Sequence, residues 1–397
     1  MKPAAGALHG VRVLDLSRVL GGPYCSQALA DHGADVIKLE PPSGDETRGW
    51  GPPFLGDSAW YFEGVNRNKR AICVDLAQEA GRAIVWRLLE QADVLLENFK
   101  PGTLARWGMD YARDLAPRFP RLIHCAVTGF GAQGPLGGLP GYDAAIQAMA
   151  GLMSVNGEQD GPPLRVGLPV VDMVTGLNAL SGILLALHER ARSGLGQSLD
   201  IALYDCGVSL LHPHLPNYFG SGKATPRSGN AHPNIAPYDS YRTASVPLYL
   251  AVGNDRQFAR LCQMLEVPNL LGDPRFIDNR SRCAHRPQLK QALEAALSRH
   301  RAEQLAPRLL HDGVPCAPVL GVEEVVAHPH TAYRQLLVQM GEYRGTASPI
   351  KLSRTPARYD RPPPALGQHS RAVLCELGYA EEQQQALLDA GVVISSC

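Results

Sequence analysis

The sequence lacks an excess of charge of either sign. Its 397 residues include 38 lysines and arginines and 38 aspartates and glutamates, which gives a formal net charge of zero at neutral pH. A protein without net charge exerts no long-range attraction on nucleic acid or on an anionic membrane surface. We therefore expect neither as a partner, and a polyanionic ligand has to be held by local basic side chains.

Paired cysteines and long apolar runs are also missing. The nine cysteines are scattered and form no C-x-x-C pair, which argues for reduced thiols rather than for a disulfide framework or a zinc site. No stretch approaches the roughly 18 consecutive apolar residues of a membrane span. The first residues hold no signal-peptide apolar region. Together these absences predict a cytoplasmic protein.

The histidines give little support for a metal centre. The pairs His212/His214 and His328/His330 are spaced for one face of a strand, but neither pair has a third candidate ligand nearby in the sequence. Zinc sites in proteins use three or four side-chain ligands. We expect no bound metal.

Strand and helix patterns alternate over the first two hundred residues. Residues 11–16 and 34–40 are apolar strands around a helix at 24–32, which is a βαβ unit. The G-x-G-x-x-G fingerprint is absent and Pro23 occupies the turn, which argues against a dinucleotide site. Further strands are predicted at 71–76, 93–97, 122–128 and 198–203, with a helix at 79–91. The pattern predicts an α/β fold with a Rossmann-like parallel sheet.

The composition changes after residue 211. Residues 213–240 are rich in proline, glycine, asparagine and serine without clear periodicity, which indicates a linker or a functional loop. Later strands are predicted at 248–252 and 316–320, and later helices at 257–265, 288–310, 370–377 and 381–390. The predicted parts are a large α/β domain at 1–211, a linker and functional loop at 212–240, a small α/β domain at 241–330 and a C-terminal segment at 331–397 that returns to the large domain.

Asp172 is the most informative single residue. It precedes residues 173–192, whose apolar side chains recur at helical spacing. Aspartate is a preferred N-cap because its carboxylate accepts a hydrogen bond from a first-turn N–H group. A carboxylate at the start of a helix can also act as a nucleophile. From the residues alone, both interpretations of Asp172 remain open.

Several motifs recur in a recognisable order along the chain. They lie at residues 10–17, 21–23, 33–41, 44–48, 66–70, 97–102, 141–143, 194–197, 313–319 and 366–369, with single aspartates at 172 and 200. Together they resemble the class III CoA-transferase family, the CaiB/BaiF type, over essentially the whole chain. That family includes formyl-CoA transferase and succinyl-CoA:dicarboxylate CoA-transferases. The resemblance implies a subunit that forms an interlocked homodimer.

The resemblance implies that Asp172 is the catalytic nucleophile. In the family this aspartate forms an anhydride with the acyl group and then a thioester with CoA. We expect the helix N-terminus to keep Asp172 ionised and to present N–H groups to the developing oxyanion. CoA is implied as a substrate, without a prosthetic group. The positions that match the family's CoA site are Lys69, Val74, Asn98, Phe99, Lys100, Arg106, Tyr142 and Asp143.

The acceptor is expected to be a dicarboxylate such as glutarate or itaconate, with succinyl-CoA as the donor. Arg18, Arg48 and Arg165 are candidates to pair with its distal carboxylate. His232 lies in the segment that resembles the family's active-site loop, although this loop is poor in glycine. Oxalate-using members carry glutamine where this chain has Leu20, which argues against oxalate and formate.

Two other functions stay under consideration. α-Methylacyl-CoA racemases also resemble this chain, but they place a histidine before the aspartate at residue 143, whereas Tyr142 stands here. Without an imidazole the pair that moves an α-proton is incomplete. A CoA-binding protein without catalytic activity is the second alternative, and the presence of Asp172 argues against it.

Overall fold

A computed structural model describes residues 6–396 of the chain. The strands, numbered in chain order, are β1 Arg12–Asp15, β2 Asp35–Glu40, β3 Phe54–Leu55, β4 Ser58–Ala59, β5 Arg70–Val74, β6 Val94–Glu97, β7 Ile123–Thr128, β8 Ser198–Ala202, β9 Tyr238–Tyr241, β10 Leu248–Ala251, β11 Cys316–Pro318, β12 Leu337–Met340, β13 Tyr343–Thr346 and β14 Val393–Ile394.

Helices connect most of these strands. In chain order they are α1 Gly21–Asp31, α2 Trp60–Glu63, α3 Glu79–Leu89, α4 Thr103–Arg106, α5 Ala116–Arg118, α6 Asp143–Met149, α7 Leu152–Val155, α8 Val170–Ser193, α9 Leu203–Ser209, α10 His214–Ser221, α11 Asp255–Met264, α12 Asn279–Ala284, α13 Arg286–Leu297, α14 Ala302–His311, α15 Val322–Ala327, α16 Pro329–Tyr333, α17 Ser370–Glu376 and α18 Glu381–Asp389. Short 3₁₀ segments lie at Glu46–Gly49 and Pro268–Leu271, and a π turn lies at Tyr111–Leu115.

The described residues divide into two compact units. The first unit contains the residues up to Leu152, then Val166–Leu211, and then those from Pro329 onward. The second unit contains Met153–Arg165 and His212–His328. Residues 153–165 therefore group with the second unit in this division, and the four-part division of the sequence analysis stays a prediction.

The first unit is built on a seven-stranded sheet. Its strand order is β14-β5-β2-β1-β6-β7-β8, and every neighbouring pair is parallel except β14 with β5. The order changes direction at β1, because β2 lies on one side of it and β6 on the other. Ligands of open α/β sheets bind at the carboxyl ends of the strands at such a switch point. The predicted Rossmann-like parallel sheet is confirmed.

Both faces of the large sheet are covered by helices. Side chains of a strand alternate between its two faces, so Val13 packs on one side with Ile183 of α8, and Leu14 packs on the other with Ile84 of α3. All four side chains are buried. Each such side chain contributes about 1.5–3 kcal/mol through the area that it removes from water. This burial on two faces explains why the strands are short continuous apolar runs.

The second unit has its own core. Strands β11, β10 and β9 form an antiparallel sheet in that order, and its apolar side chains pack with those of α11, α13 and α14. The predicted small α/β part is therefore present. One helix predicted at 288–310 is wrong, because α13 ends at Leu297 and α14 begins at Ala302. The buried leucines continue through the break, so periodicity alone does not reveal it.

Two further elements differ from the sequence expectations. The segment at 213–240, predicted without regular structure, contains α10. Strand β14 was not predicted, because two residues are too few to show a pattern. It adds an antiparallel edge to the large sheet by pairing Val393 with Val74.

Helix α8 is the longest helix among the described residues. It has 24 residues, and its most apolar window has a mean hydropathy of 1.8, which is enough by length and composition to cross a membrane. The expectation that no stretch is long and apolar enough to span a membrane is therefore wrong. In the structure α8 packs on α1, β7 and β8 within the first unit. Leu177, Leu184 and Leu185 nevertheless stay exposed on this chain.

The contribution of β14 can be measured by substituting Val393, which is buried, and using its half-exposed neighbour Ile394 as the control. Val393→Ala is expected to lower the free energy of unfolding by about 1–3 kcal/mol, because two buried carbon atoms are lost. Ile394→Ala is expected to cost clearly less. Denaturant unfolding of both variants measures the difference, and equal losses would contradict a role for the β14 pairing in the core.

Candidate active site

A cavity of about 340 Å³ lies at the carboxyl ends of the central strands of the first unit. Its walls come from the loops after β1, β6 and β7, from the approach to α6, and from the start of α8. The main lining segments are Arg18–Gly21, Asn98–Pro101, Val127–Gly129, Leu139–Tyr142 and Asp172. This is the position at which an open α/β sheet binds its ligand. The cavity is therefore the candidate active site.

Asp172 lies in the first turn of α8 and is not its N-cap. The helix begins at Val170, so Asp172 is its third residue, and the cap position belongs to Pro169, which has no side-chain oxygen to offer. The capping interpretation is therefore wrong. Within residues 6–396, its carboxylate accepts no hydrogen bond from a backbone N–H group, and Asp172 lines the cavity.

The first N–H groups of α8 are all engaged. The amides of Val171 and Asp172 both donate to Oδ1 of Asp143, at 2.8 and 3.2 Å. The amide of Val170 donates to the carbonyl of Leu168 at 2.8 Å, and the amide of Met173 donates to the carbonyl of Pro169 at 3.1 Å. The expectation that this helix end presents free N–H groups to an oxyanion is wrong, because a buried carboxylate from α6 has taken two of them.

The surroundings of Asp172 raise the pKa of its side chain, so that it is only partly ionised near neutral pH. Burial raises its pKa to about 7, and the nearby carboxylate of Asp143 adds to the rise. The expectation that the helix N-terminus keeps Asp172 ionised is therefore wrong, since desolvation of the charge outweighs the helix dipole. Near neutral pH the acid and the carboxylate forms coexist. A carboxylate with a raised pKa is also a stronger nucleophile once ionised.

The N-terminus of α1 lies beside Asp172. An added Cβ on Gly21 would lie 3.3 Å from the backbone oxygen of Asp172 and 3.8 Å from its Oδ1. Helices α1 and α8 cross closely here, because a Cβ on Gly176 would lie only 2.6 Å from the carbonyl oxygen of Gly21. Glycine at both positions permits this approach. Within residues 6–396, the amides of Leu20 and Gly21 have no hydrogen-bond partner.

The loop between β1 and α1 is held by side chains from the segments that follow β2 and β6. Asn98 accepts from the amide of Arg18 at 3.0 Å and donates to its carbonyl at 2.8 Å. Both carboxylate oxygens of Asp45 lie 3.3 Å from the amide of Val19. Val19 has a φ of 71°, which is a costly conformation for a β-branched residue. Asp45 was not among the predicted site residues, although it lies in the motif at 44–48.

A cluster of buried charges supports this loop from below. Lys38 donates to the carbonyl of Ser17 at 2.9 Å and to Asp45 at 3.0 Å. Lys69 donates to Asp15 at 3.2 Å and to the carbonyl of Pro23 at 3.0 Å. The side chains of both pairs are completely buried, and burial lowers the pKa of Lys69 to about 8. Because a ligand cannot reach it, the structure contradicts the prediction that Lys69 contacts CoA.

Two more predicted contacts are occupied elsewhere. The side chain of Val74 is fully buried in the sheet, so it is not available to CoA. Arg48 binds both carboxylate oxygens of Glu40, at 2.8 and 2.7 Å, and its guanidinium lies 3.6 Å from the ring centroid of Phe62. Its planar donor fork is already paired, which argues against the predicted role of Arg48 in binding a substrate carboxylate.

Other predicted residues do line the cavity. Arg18, Asn98, Phe99, Lys100 and Tyr142 are all part of its wall. Among the described residues, the side chains of Arg18 and Lys100 have no ion pair or hydrogen bond. Two unpaired cations therefore share the cavity with Asp172, which gives a small anionic ligand a place to bind.

The remaining predicted residues lie outside this wall. Arg106 is exposed on α4 and donates to Thr103 at 3.0 Å. Arg165 and His232 belong to the second unit. There the ring of His232 accepts from the amide of Asn234 at 3.1 Å and packs against Tyr238. No group of three metal-binding side chains occurs within residues 6–396.

Comparison with known proteins decides the family. The model of CoA-transferase family III matches residues 8–370. The chain belongs to this family. A succinate–glutarate CoA-transferase of Agrobacterium fabrum is 44% identical to this CoA-transferase, over 93% of this chain and 95% of that protein. An acetyl-CoA:oxalate CoA-transferase of Acetobacter aceti is 40% identical, over 95% and 97%.

A solved structure agrees with this family III assignment. The crystal structure of a CaiB/BaiF family protein from Brucella suis has a TM-score of 0.85 and 41% sequence identity, and covers 94% of this chain and 100% of that one. The resemblance drawn from the motifs is confirmed, and this family III protein is a CoA-transferase.

The pKa of Asp172 makes a prediction about pH. The kcat/KM for an acyl-CoA is expected to rise about tenfold per pH unit below pH 7 and to level off above it, because only the ionised carboxylate attacks and its pKa is about 7. Substrate carboxylates titrate nearer 4 to 5, so they do not account for such an inflection. Initial rates between pH 5.5 and 9 measure the profile, with circular dichroism as the control for folding. A flat profile would contradict the assignment.

Proposed function

We propose that this protein transfers CoA from succinyl-CoA to a dicarboxylic acid such as glutarate or itaconate, with Asp172 as the nucleophile. The observation that carries the proposal is a partly buried carboxylate with a raised pKa that shares a cavity with two unpaired cations, Arg18 and Lys100. The Agrobacterium fabrum relative, named for succinate and glutarate, supports this substrate class. The Acetobacter aceti relative, named for oxalate, makes the acceptor a question for experiment.

The reaction keeps the energy of the thioester through four exchanges at acyl carbons. The carboxylate of Asp172 attacks the thioester carbonyl, so that the C–S bond breaks and a succinyl–aspartyl anhydride and CoA thiolate form. The thiolate attacks the aspartyl carbonyl, and succinate leaves. The acceptor carboxylate then attacks the aspartyl–CoA thioester and releases the thiolate again. Finally the thiolate attacks the acceptor's own carbonyl, which yields the new CoA ester and restores the carboxylate.

The amides of Leu20 and Gly21 are suited to stabilise the charge that develops during these steps. They are free donors at the N-terminus of α1, and Gly21 packs directly against Asp172. Fixed N–H donors at a developing oxyanion are a large source of catalysis. The oxyanion donors in this proposal therefore belong to α1 and not, as the sequence predicts, to α8.

Arg18 and Lys100 each bind an anionic group of a different substrate. Lys100 is exposed on the segment that follows Asn98, where the resemblance implies a CoA contact. Arg18 is half-buried and belongs to the same loop as Gly21. Its planar fork fits a carboxylate bidentately, so we assign it to the distal carboxylate of the acceptor. Tyr142, Asn98 and Phe99 complete the wall around the thioester.

The proposal includes an interlocked homodimer that works in the cytoplasm. Helix α8 carries Leu177, Leu184 and Leu185 on an exposed face, and such a row of apolar side chains is typical of a surface covered by a partner. Light scattering of the purified protein at several concentrations measures the assembly. A monomer at every concentration would contradict this part of the proposal.

The reaction itself is tested with a panel of acids. Purified protein is mixed with succinyl-CoA and with glutarate, itaconate, oxalate, formate and monocarboxylates, and new CoA esters are followed by mass spectrometry. The expected result is ester formation on dicarboxylates, loss of at least a thousandfold in rate in Asp172→Asn, and a hydroxylamine-sensitive adduct on the wild-type protein only. Binding of CoA without any ester or adduct would favour a non-catalytic binder, and α-proton exchange on a 2-methylacyl-CoA would favour a racemase.

Arg18 provides a separate prediction about the acceptor. Arg18→Ala is expected to raise the KM for a dicarboxylate about 10- to 100-fold, because a charge-assisted hydrogen bond contributes about 1.5–3 kcal/mol. The KM for a monocarboxylate of similar size is expected to change little. Lys100→Ala is the matched control, since it should raise the KM for the CoA ester instead. Equal effects of Arg18→Ala on both acids would contradict the assignment.

A further inference from the structure

Two side chains on α6 bind the start of the helix that carries the nucleophile. Asp143 and Gln147 are one turn apart on α6 and therefore project to the same side. Both are buried, and Gln147 has no exposed surface. The resemblance to the family implies a CoA contact for Asp143, and it implies no role for Gln147. Their four- residue spacing was the signal that linked them.

The contacts of Asp143 are satisfied within the protein. Its Oδ1 accepts the amides of Val171 and Asp172, at 2.8 and 3.2 Å, and its Oδ2 accepts from Nε2 of Gln147 at 2.7 Å. Its carboxylate replaces the N-cap that Pro169 does not provide. The geometry therefore gives Asp143 a task that does not require contact with CoA.

Gln147 extends the same set of contacts along the approach to α8. Its Nε2 also donates to the carbonyl of Leu168 at 3.2 Å, and its Oε1 accepts from the amide of Val166 at 2.8 Å. A buried amide with all of these partners fixes the chain over several residues before Asp172. An apolar residue at this position would remove the side-chain hydrogen bonds that hold the carbonyl of Leu168 and the amide of Val166 to α6.

We propose that Asp143 and Gln147 form a clamp that positions Asp172, with Asp143 binding the first turn of α8 and Gln147 binding the segment that leads into it. Neither residue contacts the reacting atoms in this role. The proposal rests on the proposed function of Asp172 as the nucleophile, and it adds the residues that determine where that carboxylate lies.

The negative charge of Asp143 gives the clamp a second effect on Asp172. It faces Asp172 from α6 and favours the protonated form of that side chain. It is the second cause, after burial, of the raised pKa of Asp172. The other charged and titratable groups that line the cavity or interact with Asp172 are Arg18, Glu46, Lys100, Tyr142 and Tyr61. Asp143 differs from these because it also holds the backbone of the residue that it influences.

Three variants separate the backbone contact from the charge. Asp143→Asn keeps an oxygen for the two amides but removes the charge and the acceptor of the Gln147 side chain, so the inflection in the pH profile of kcat/KM should move at least half a unit below that of the wild type. Asp143→Ala loses both, and Gln147→Met loses the contacts to the approach and the hydrogen bond to Oδ2 of Asp143 while it keeps the charge and the two amide contacts of Asp143. The latter two should lower kcat about 10- to 100-fold, because the carboxylate of Asp172 is then held less precisely, with less than a threefold change in the KM for acyl-CoA. Asp57→Asn, which removes an exposed carboxylate of the same unit, should change none of these quantities.

Hydrogen exchange gives a readout that does not depend on activity. Deuterium uptake by a peptide spanning residues 166–176 should be faster in Asp143→Ala and Gln147→Met than in the wild type, with little change in the peptide that covers α3. This result with an inactive wild-type protein would uphold the clamp and reject the proposed function. A raised KM for acyl-CoA with an unmoved pH inflection and unchanged exchange would overturn the clamp and return Asp143 to the CoA site. If Asp143→Ala does not fold, Asp143→Asn and Gln147→Met decide by the same measurements.

Discussion

The buried ion pairs below the loop from β1 to α1 are the interaction on which the active site depends. Lys38 with Asp45 and Lys69 with Asp15 have no exposed side-chain surface. Removing an ion from water costs several kcal/mol unless its partners replace the lost hydration. Here the two ammonium groups are satisfied by carboxylates and also by the backbone carbonyls of Ser17 in the loop and of Pro23 in the first turn of α1. If the loop moved, a buried ammonium group would lose a hydrogen-bond partner and would gain no water in its place.

This constraint explains how an unusual backbone persists beside the nucleophile. Asp45 is fixed by Lys38 and holds the amide of Val19, whose positive φ is unfavourable for a valine. The loop then enters α1 at Gly21, which lies against Asp172. The two helix N-termini at the cavity are consequently treated in opposite ways. Helix α8 has two of its first amides bound by Asp143, whereas the amides of Leu20 and Gly21 at the start of α1 have no partner within residues 6–396.

The sequence was a good guide to elements and a poorer guide to partners. The strands of the parallel sheet were predictable because short apolar runs and the turns between them are local properties. The cap of α8 was not, because Asp143 lies on another helix. Arg48 and Lys69 were assigned to ligands because basic residues in polar turns fit that role, yet Glu40 and Asp15 bind them in the folded chain. Tertiary contacts decide which of the predicted basic side chains lack a partner. Among the described residues, these are Arg18 and Lys100.

The last strand of the large sheet has a consequence for how the chain is made. Val393 pairs with Val74, about 320 residues earlier in the chain. At 5–20 residues per second, a ribosome needs roughly 15–60 s to synthesise the chain between these two residues. Throughout that time the outer edge of β5 has no partner, and an unpaired edge strand is a template for association with other chains. The large sheet of a nascent chain therefore stays open at the edge of β5 until Val393 and Ile394 have been synthesised and can pair with it.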